Sequence, residues 1–261
     1  MSVAASHPLR LASLIVAAIV AAGACGPGAP ALSDPKEILT KAVEALQAAK
    51  TVHLAVTVDG QFVLDILGTG GGAMALTGTS LQGDLDIENG KAKLTFAVPA
   101  LLGLAGELIT VDGASYVKTN VTGELYQKSE AGDALPIDPT DPDALLDELS
   151  TWLEKPEIAP RKLDDVDCGG RKCYQVSIEL TGAELNALSS PEPGSIDPNG
   201  LITLTFKVDK DPVRLHELAA SISMGEQGSL TIVLTLTDWD KGVTIEAPPD
   251  DQVEEGGGLP F

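Results

Sequence analysis

Aromatic residues are scarce: two Trp, three Tyr and four Phe in 261 residues. Any core must therefore rest on Leu, Val, Ile and Ala. Such a composition suits a β-rich interior, and it equally suits a pocket for flexible acyl chains. Histidine is nearly absent too, with three copies. Two of them, His53 and His216, lie in strand-like runs. The sequence holds no Gly-x-Ser-x-Gly, His-Glu-x-x-His or phosphate loop. Asp138, Asp141 and Asp143 cluster without the spacing of an EF-hand. No catalytic residue, cofactor or metal site is expected, and the chain reads as a non-enzyme. Positive charge is short: 17 Lys and Arg stand against 38 Asp and Glu, a net charge of −21. That surface repels phosphate backbones and anionic head groups, so nucleic acid is excluded as a partner. Long apolar runs are missing as well. The longest, Leu11 to Ala24, rises about 21 Å as a helix, whereas a bilayer core is about 30 Å thick. No stable transmembrane span is expected.

What is present begins with that short run. Arg10 precedes it and Ala22-Gly23-Ala24-Cys25 ends it. The layout is that of a secretory signal over residues 1–24. Its end resembles a bacterial lipobox, although Ala22 stands where Leu is more usual. The resemblance implies lipidation of Cys25, which becomes the first residue after cleavage. An ordinary signal peptide, leaving Cys25 a free thiol, is the alternative. Residues 25–33 form a Gly/Pro-rich tether. Buried acyl chains contribute about 0.8 kcal/mol per methylene, so two or three of them anchor durably. The expected location is the extracytoplasmic face of the cell membrane. Of three cysteines, Cys168 and Cys173 remain as an even pair around Gly169-Gly170. A disulfide closing this hairpin suits an oxidising compartment.

The rest of the chain, 34–250, reads as one domain, followed by a loose tail over 251–261. Asp34 caps a helix with Pro35 at its first position, and Ile38, Leu39, Ala42, Val43 and Leu46 form its apolar stripe. The period then becomes two. Val52, Leu54, Val56 and Val58 alternate with polar residues, and Phe62 to Leu67 reads as the hairpin mate. Ala75 to Ile87 and Lys91 to Val98 pair around Glu88-Asn89-Gly90, and Leu108 to Val111 and Ala114 to Lys118 pair around Asp112-Gly113. Pro99 to Gly106 does not alternate, and predicts either a short helix over the sheet or the lip of a cavity. Asp141 caps a second helix reaching Leu153. Strands are expected over 158–167, 174–180, 201–208, 213–223 and 229–240, with a short edge at 243–246. Thr181 and Glu184 form a capping box. The sum is an α+β plan: a large curved antiparallel sheet, a half-barrel, with helices over the concave face enclosing an apolar cavity.

The order of motifs resembles the LppX/LprG family of actinobacterial lipoproteins, related in fold to LolA and LolB. The likeness runs through Asp34-Pro-Lys-Glu-Ile-Leu, Thr51 to Gly60, Leu81-Gln-Gly-Asp-Leu85 and Val111-Asp-Gly-Ala-Ser-Tyr-Val-Lys118. It ends in Phe206 to Leu215 and Leu236 to Val253, with Pro248-Pro249 as a stop. The Cys168–Cys173 turn departs from the best-known members. The resemblance implies binding of an acylated lipid or glycolipid in the cavity and its carriage across the cell envelope. Strand parity in the first half picks Val56, Val58, Leu64, Leu85, Ile87, Leu94, Phe96 and Val98 as cavity walls, with Leu101, Leu102 and Leu104 near the entrance. A membrane transporter is a candidate partner, and a monomer is expected. The competing reading is a surface lipoprotein with a filled core that binds protein or senses. The sequon Asn120-Val121-Thr122 is read as accidental.

Overall fold

The computed structural model describes residues 31–64, 72–130, 150–184 and 199–255. The domain opens with helix α1 (Pro35–Gln47). Asp34 caps it, its Oδ1 accepting from the backbone N of Lys36 at 2.8 Å and of Glu37 at 3.5 Å. The strands follow: β1 (Thr51–Leu64), β2 (Gly72–Ala75), β3 (Thr79–Asp86), β4 (Lys91–Val98), β5 (Leu104–Val111), β6 (Ala114–Thr119) and β7 (Tyr126–Glu130). Next come β8 (Arg161–Lys162), β9 (Val166–Asp167), β10 (Lys172–Thr181), β11 (Leu201–Lys210), β12 (Val213–Ser223), β13 (Gly228–Thr237) and β14 (Val253–Glu255). Among the described residues they form one sheet, in the order β14-β7-β6-β5-β4-β3-β1-β13-β12-β11-β10-β8, with β2 beside β1 and β9 beside β10. All pairs are antiparallel except β14 with β7. The sheet is curved and unclosed, and the fold class is α+β as the sequence predicts.

The two halves of the chain meet at β1 and β13, which pair from His53–Thr237 to Phe62–Gly228. Partners across a ladder point to the same face. The register therefore sorts every strand residue onto one of two faces. α1 lies on the concave face over β12, with β10 and β11 beside it. It buries Ile38, Leu39, Ala42 and Val43. Each of the larger aliphatics contributes about 1.5–3 kcal/mol by leaving water. On the convex face, Ile109, Val111 and Tyr126 are buried with Ile245, while Tyr116, Val243 and Val253 pack around them. Covers thus sit at opposite ends and on opposite faces of the sheet.

Several elements differ from the sequence expectations. Phe62 is not in a hairpin mate; β1 continues through Gly60 to Leu64. Gly60 has φ +125°, and a Cβ there would stand 2.2 Å from the carbonyl oxygen of Ser229. The glycine bends the strand against its neighbour rather than turning it back. Residues 75–87 split into β2 and β3. Pro99 to Gly106 forms no helix: β5 starts at Leu104, and the preceding residues make a tight turn, with Gly103 N donating to Pro99 O at 3.0 Å. The stretch 158–167 supplies only β8 and β9. Residues 243–246 form no strand; Ile245 is instead buried on the convex face. Val253–Glu255, expected within a loose tail, joins β7 as a parallel edge, and 256–261 lie outside the described residues. β7 is polar in sequence, and its residues predict no strand. Most of the second helix lies outside the described residues, but 150–154 are helical and Leu153 is buried. Cys168 and Cys173 are joined by a disulfide. A loop this short limits its entropic contribution to about 2 kcal/mol. The capping box is present, Glu184 Oε2 accepting from Thr181 N at 2.7 Å and Glu184 N donating to Thr181 Oγ1 at 3.2 Å.

Candidate functional site

The concave face is aliphatic across its width. Going from β10 to β5, the register aligns Val176, Phe206, Leu218, Leu234, Val56, Leu81 and Phe96 in one row, ending at Gly106. The next row is Ile178, Leu204, Ala220, Ile232, Val58, Thr79, Val98 and Leu104. No charged residue stands in either row. Across β12, β13, β1, β3 and β4 the charges alternate onto the other face, where they pair with neighbours, while Lys162 on β8, the partner of Val176, puts a charge at the far edge of the concave face. Lys207 meets Glu217 at 2.8 Å, Lys93 meets Glu107 at 3.2 Å, and His53 Nδ1 lies 2.7 Å from Asp84 Oδ1.

Burial divides the aliphatic face into three zones. At the β10–β11 end, Val176, Ile178, Leu180, Ile202, Phe206 and Val208 are buried. The space left between this end and α1 is a void of about 40 Å³ lined by Leu39, Ala42, Val43, Leu46, Leu153, Phe206, Leu215 and Leu218. Small-molecule pockets run about 300–1,000 Å³, so this void is a packing gap and not a lipid site. At the β4–β6 end, Ala92, Leu94, Leu108 and Val117 form a second closed cluster. Leu54, Leu81 and Leu85 pack against that cluster, and between the two ends lies a zone of half-buried apolar residues: Leu218, Ala220, Ile232, Leu234, Val56, Val58 and Phe96. Apolar side chains that are neither packed away nor open, on an uncharged concave surface, are what an acyl chain requires as a solvent.

The sequence-picked residues fall in different places. Val56, Val58, Leu85, Phe96 and Val98 share the concave face and are half-buried, while Leu94 and Leu104 share it and are buried. Leu64 pairs with Gly72 in the ladder, and its side chain lies outside the described residues. Ile87 leaves the sheet into the β3–β4 turn, its N donating to Lys50 O at 2.8 Å. Leu101 and Leu102 are exposed at the β4–β5 turn. Parity in the first half alone misses Leu218, Ala220, Leu230, Ile232 and Leu234, which β12 and β13 bring alongside β1. Alternation in Leu230-Thr-Ile-Val-Leu-Thr-Leu236 was the available signal. Among the described residues no group of three His, Cys, Asp or Glu is placed to hold a metal ion, and no helix is long and apolar enough to cross a membrane.

Past the end of β13, one carboxylate ties the C-terminal segment to the sheet. Asp240 accepts from Lys50 N at 3.0 Å and from Arg214 at 2.6 Å. The backbone hydrogen bond from Lys50, and then the Arg214 guanidinium, hold its pKa below the usual carboxylate value. With the folded pKa below the unfolded one, this contribution to stability is full above about pH 4 and is lost as pH falls through the depressed value. Asp240→Asn should accordingly flatten the acid limb of a stability–pH curve below about pH 4. The side chain is more than a third exposed, so the effect is modest. Chemical denaturation between pH 2 and pH 7 checks it.

No family model matches this sequence, and no curated protein matches it. Solved structures do. LprF from Mycobacterium bovis is 19% identical, with a TM-score of 0.54 over 84% of this chain and 98% of that one. Mycobacterium tuberculosis lipoprotein LppX is 18% identical, with a TM-score of 0.49 over 82% of this chain and 100% of that one. The likeness to LprF is one of fold.

Proposed function

We propose, from a fold shared with LprF and from the half-buried aliphatic zone of the concave face, that this chain is a lipid-anchored envelope lipoprotein that carries an acylated lipid. The observation that carries the reading is the uncharged face running from β12 through β13 and β1 to β4, built from both halves of the chain. It replaces the bilayer as solvent for acyl chains. Each buried methylene is worth about 0.8 kcal/mol in either place, so loading and release are near balance. The acyl chains contact Ala220, Ile232, Val56, Val58, Leu81 and Phe96, and the head group stays at the rim. A glycolipid is the head-group class the resemblance suggests. Cys25 carries the anchor, and residues 25–33 let the domain leave the surface without leaving the membrane. No side chain acts as a catalyst in this account, and no cofactor is required. The buried cluster of Ala92, Leu94, Leu108 and Val117 favours the competing reading, a filled core serving protein binding, at its own end of the sheet.

Uptake of a fluorescent fatty-acyl probe by delipidated protein tests the proposal. Saturable binding near one probe per chain, displaced by lipid extracted from the envelope, is the expected outcome. Absence of uptake with the fold intact overturns it.

A further inference from the structure

Two hairpin tips at one end of the sheet carry apolar side chains that the carrier cavity does not use. Leu102 is completely exposed, Leu101 is 44% exposed and Val121 is 67% exposed. Leu101 and Leu102 sit in the β4–β5 turn, and Val121 in the β6–β7 turn. Asn120 joins the two. Its side chain donates to Gly103 O at 2.9 Å and accepts from Ala105 N at 3.0 Å, while its backbone N donates to Ala105 O at 2.9 Å. Thr119 and Thr122 lock the second turn with a hydroxyl contact of 3.0 Å. The sequon is thus engaged in structure, both its Asn and its Thr side chains being bonded.

The backbone at Leu102 is unusual. Its φ is +55°, in the left-handed region, where a leucine is disfavoured by roughly 1–2 kcal/mol. Gly or Asn would be the stable choice. A leucine held there, fully in water, lowers stability and solubility, so its use lies outside the folded domain. The charge pattern says what it meets. In a chain of net charge −21, residues 98–106 contain no charged side chain but Glu-free neutrality is not complete at the tip: the β6–β7 turn (120–125) carries one charge, the exposed Glu124. An acidic body facing an acidic protein would need cations here, and there are none. An aliphatic tip free of cations, with Glu124 its one charge, suits the apolar boundary layer of a neutral bilayer. The tip is also continuous with the concave face, because Val98 and Leu104, its two ends, are paired members of that face.

We infer that Leu101, Leu102 and Val121 form a bilayer-contacting tip, which seats the adjoining end of the concave face on zwitterionic phospholipid. The inference rests on the lipid anchor proposed above.

The test uses the full chain as processed by the cell. Intact mass first reports whether Cys25 is acylated; an unmodified chain would refute the anchor and leave the tip to be measured separately. Leu102→Cys is then labelled with an environment-sensitive fluorophore, the native pair being held in the disulfide. Asp112→Cys is the control. It lies in the β5–β6 turn, at the opposite end of these strands, with a similar φ of +52°. On phosphatidylcholine vesicles the label at 102 should shift to the blue and be quenched by brominated lipid, and the label at 112 should not. Leu102→Asn supplies a second arm. It should keep or raise the melting temperature and abolish vesicle-induced protection of residues 99–103 and 120–123 from hydrogen exchange. Identical behaviour of the two labels overturns the inference, leaving a protein partner as the tip's occupant. A lowered melting temperature in Leu102→Asn overturns it too, since the leucine would then serve the fold.

Discussion

Ala220→Trp should nearly abolish binding of long-chain lipid while leaving the melting temperature of lipid-free protein almost unchanged. Ala220 stands mid-way along β12, paired with Leu204 on one side and Ile232 on the other. All three point to the concave face and are half-buried. An indole there occupies the volume assigned to an acyl chain. Displacing four methylenes costs about 3 kcal/mol, which is roughly a hundredfold in affinity. The stability arm separates the two readings of this surface. In a filled core, an inserted ring forces its neighbours apart and costs about 1–3 kcal/mol. In an open cavity it meets no protein atoms and costs little. Probe titration and thermal unfolding of the same sample give both numbers.

The second large effect is a contrast between two isoleucines. Ile178 on β10 is fully buried, among the residues packed at the α1 end. Ile178→Ala should remove about 2–5 kcal/mol, because the transfer energy of the lost methylenes adds to a cavity that cannot collapse. For a domain of this size that lowers the melting temperature by roughly 5–15 °C. Ile232→Ala, three strands along the same row but half-buried, should cost under about 1 kcal/mol in lipid-free protein. Its cost should appear only when lipid is bound, as a smaller ligand-induced rise in melting temperature. Equal losses at both positions would mean that the middle zone is packed like its ends.

Local chemistry explains what could be read from the sequence. Asp34 and Pro35 set the start of α1, and Glu88-Asn89-Gly90 and Asp112-Gly113 fixed two hairpins, because caps and turns act over a few residues. Gly60 shows the limit. A glycine between alternating runs signals a turn or a bend equally well, and the outcome depends on β13 lying alongside, some 170 residues away. β14 is harder still, since a parallel three-residue edge has no pattern of its own. The candidate site suffered from the same range problem. Alternation named the apolar face of each strand, yet which strands sit side by side is a matter of topology. So Val56 and Phe96 were legible, whereas their neighbour Leu234 across β1 was not joined to them. Leu101 and Leu102 stood out as uncovered leucines; their left-handed turn and its Asn120 clamp needed coordinates.

Native mass spectrometry of the processed chain, purified from its own membranes and released gently from detergent, decides whether the concave face carries lipid. One acylated lipid per chain is expected in addition to the covalent anchor, lost on delipidation and absent from Ala220→Trp. A chain that arrives with its anchor alone, and that takes up no acyl lipid when offered one, would contradict the carrier reading.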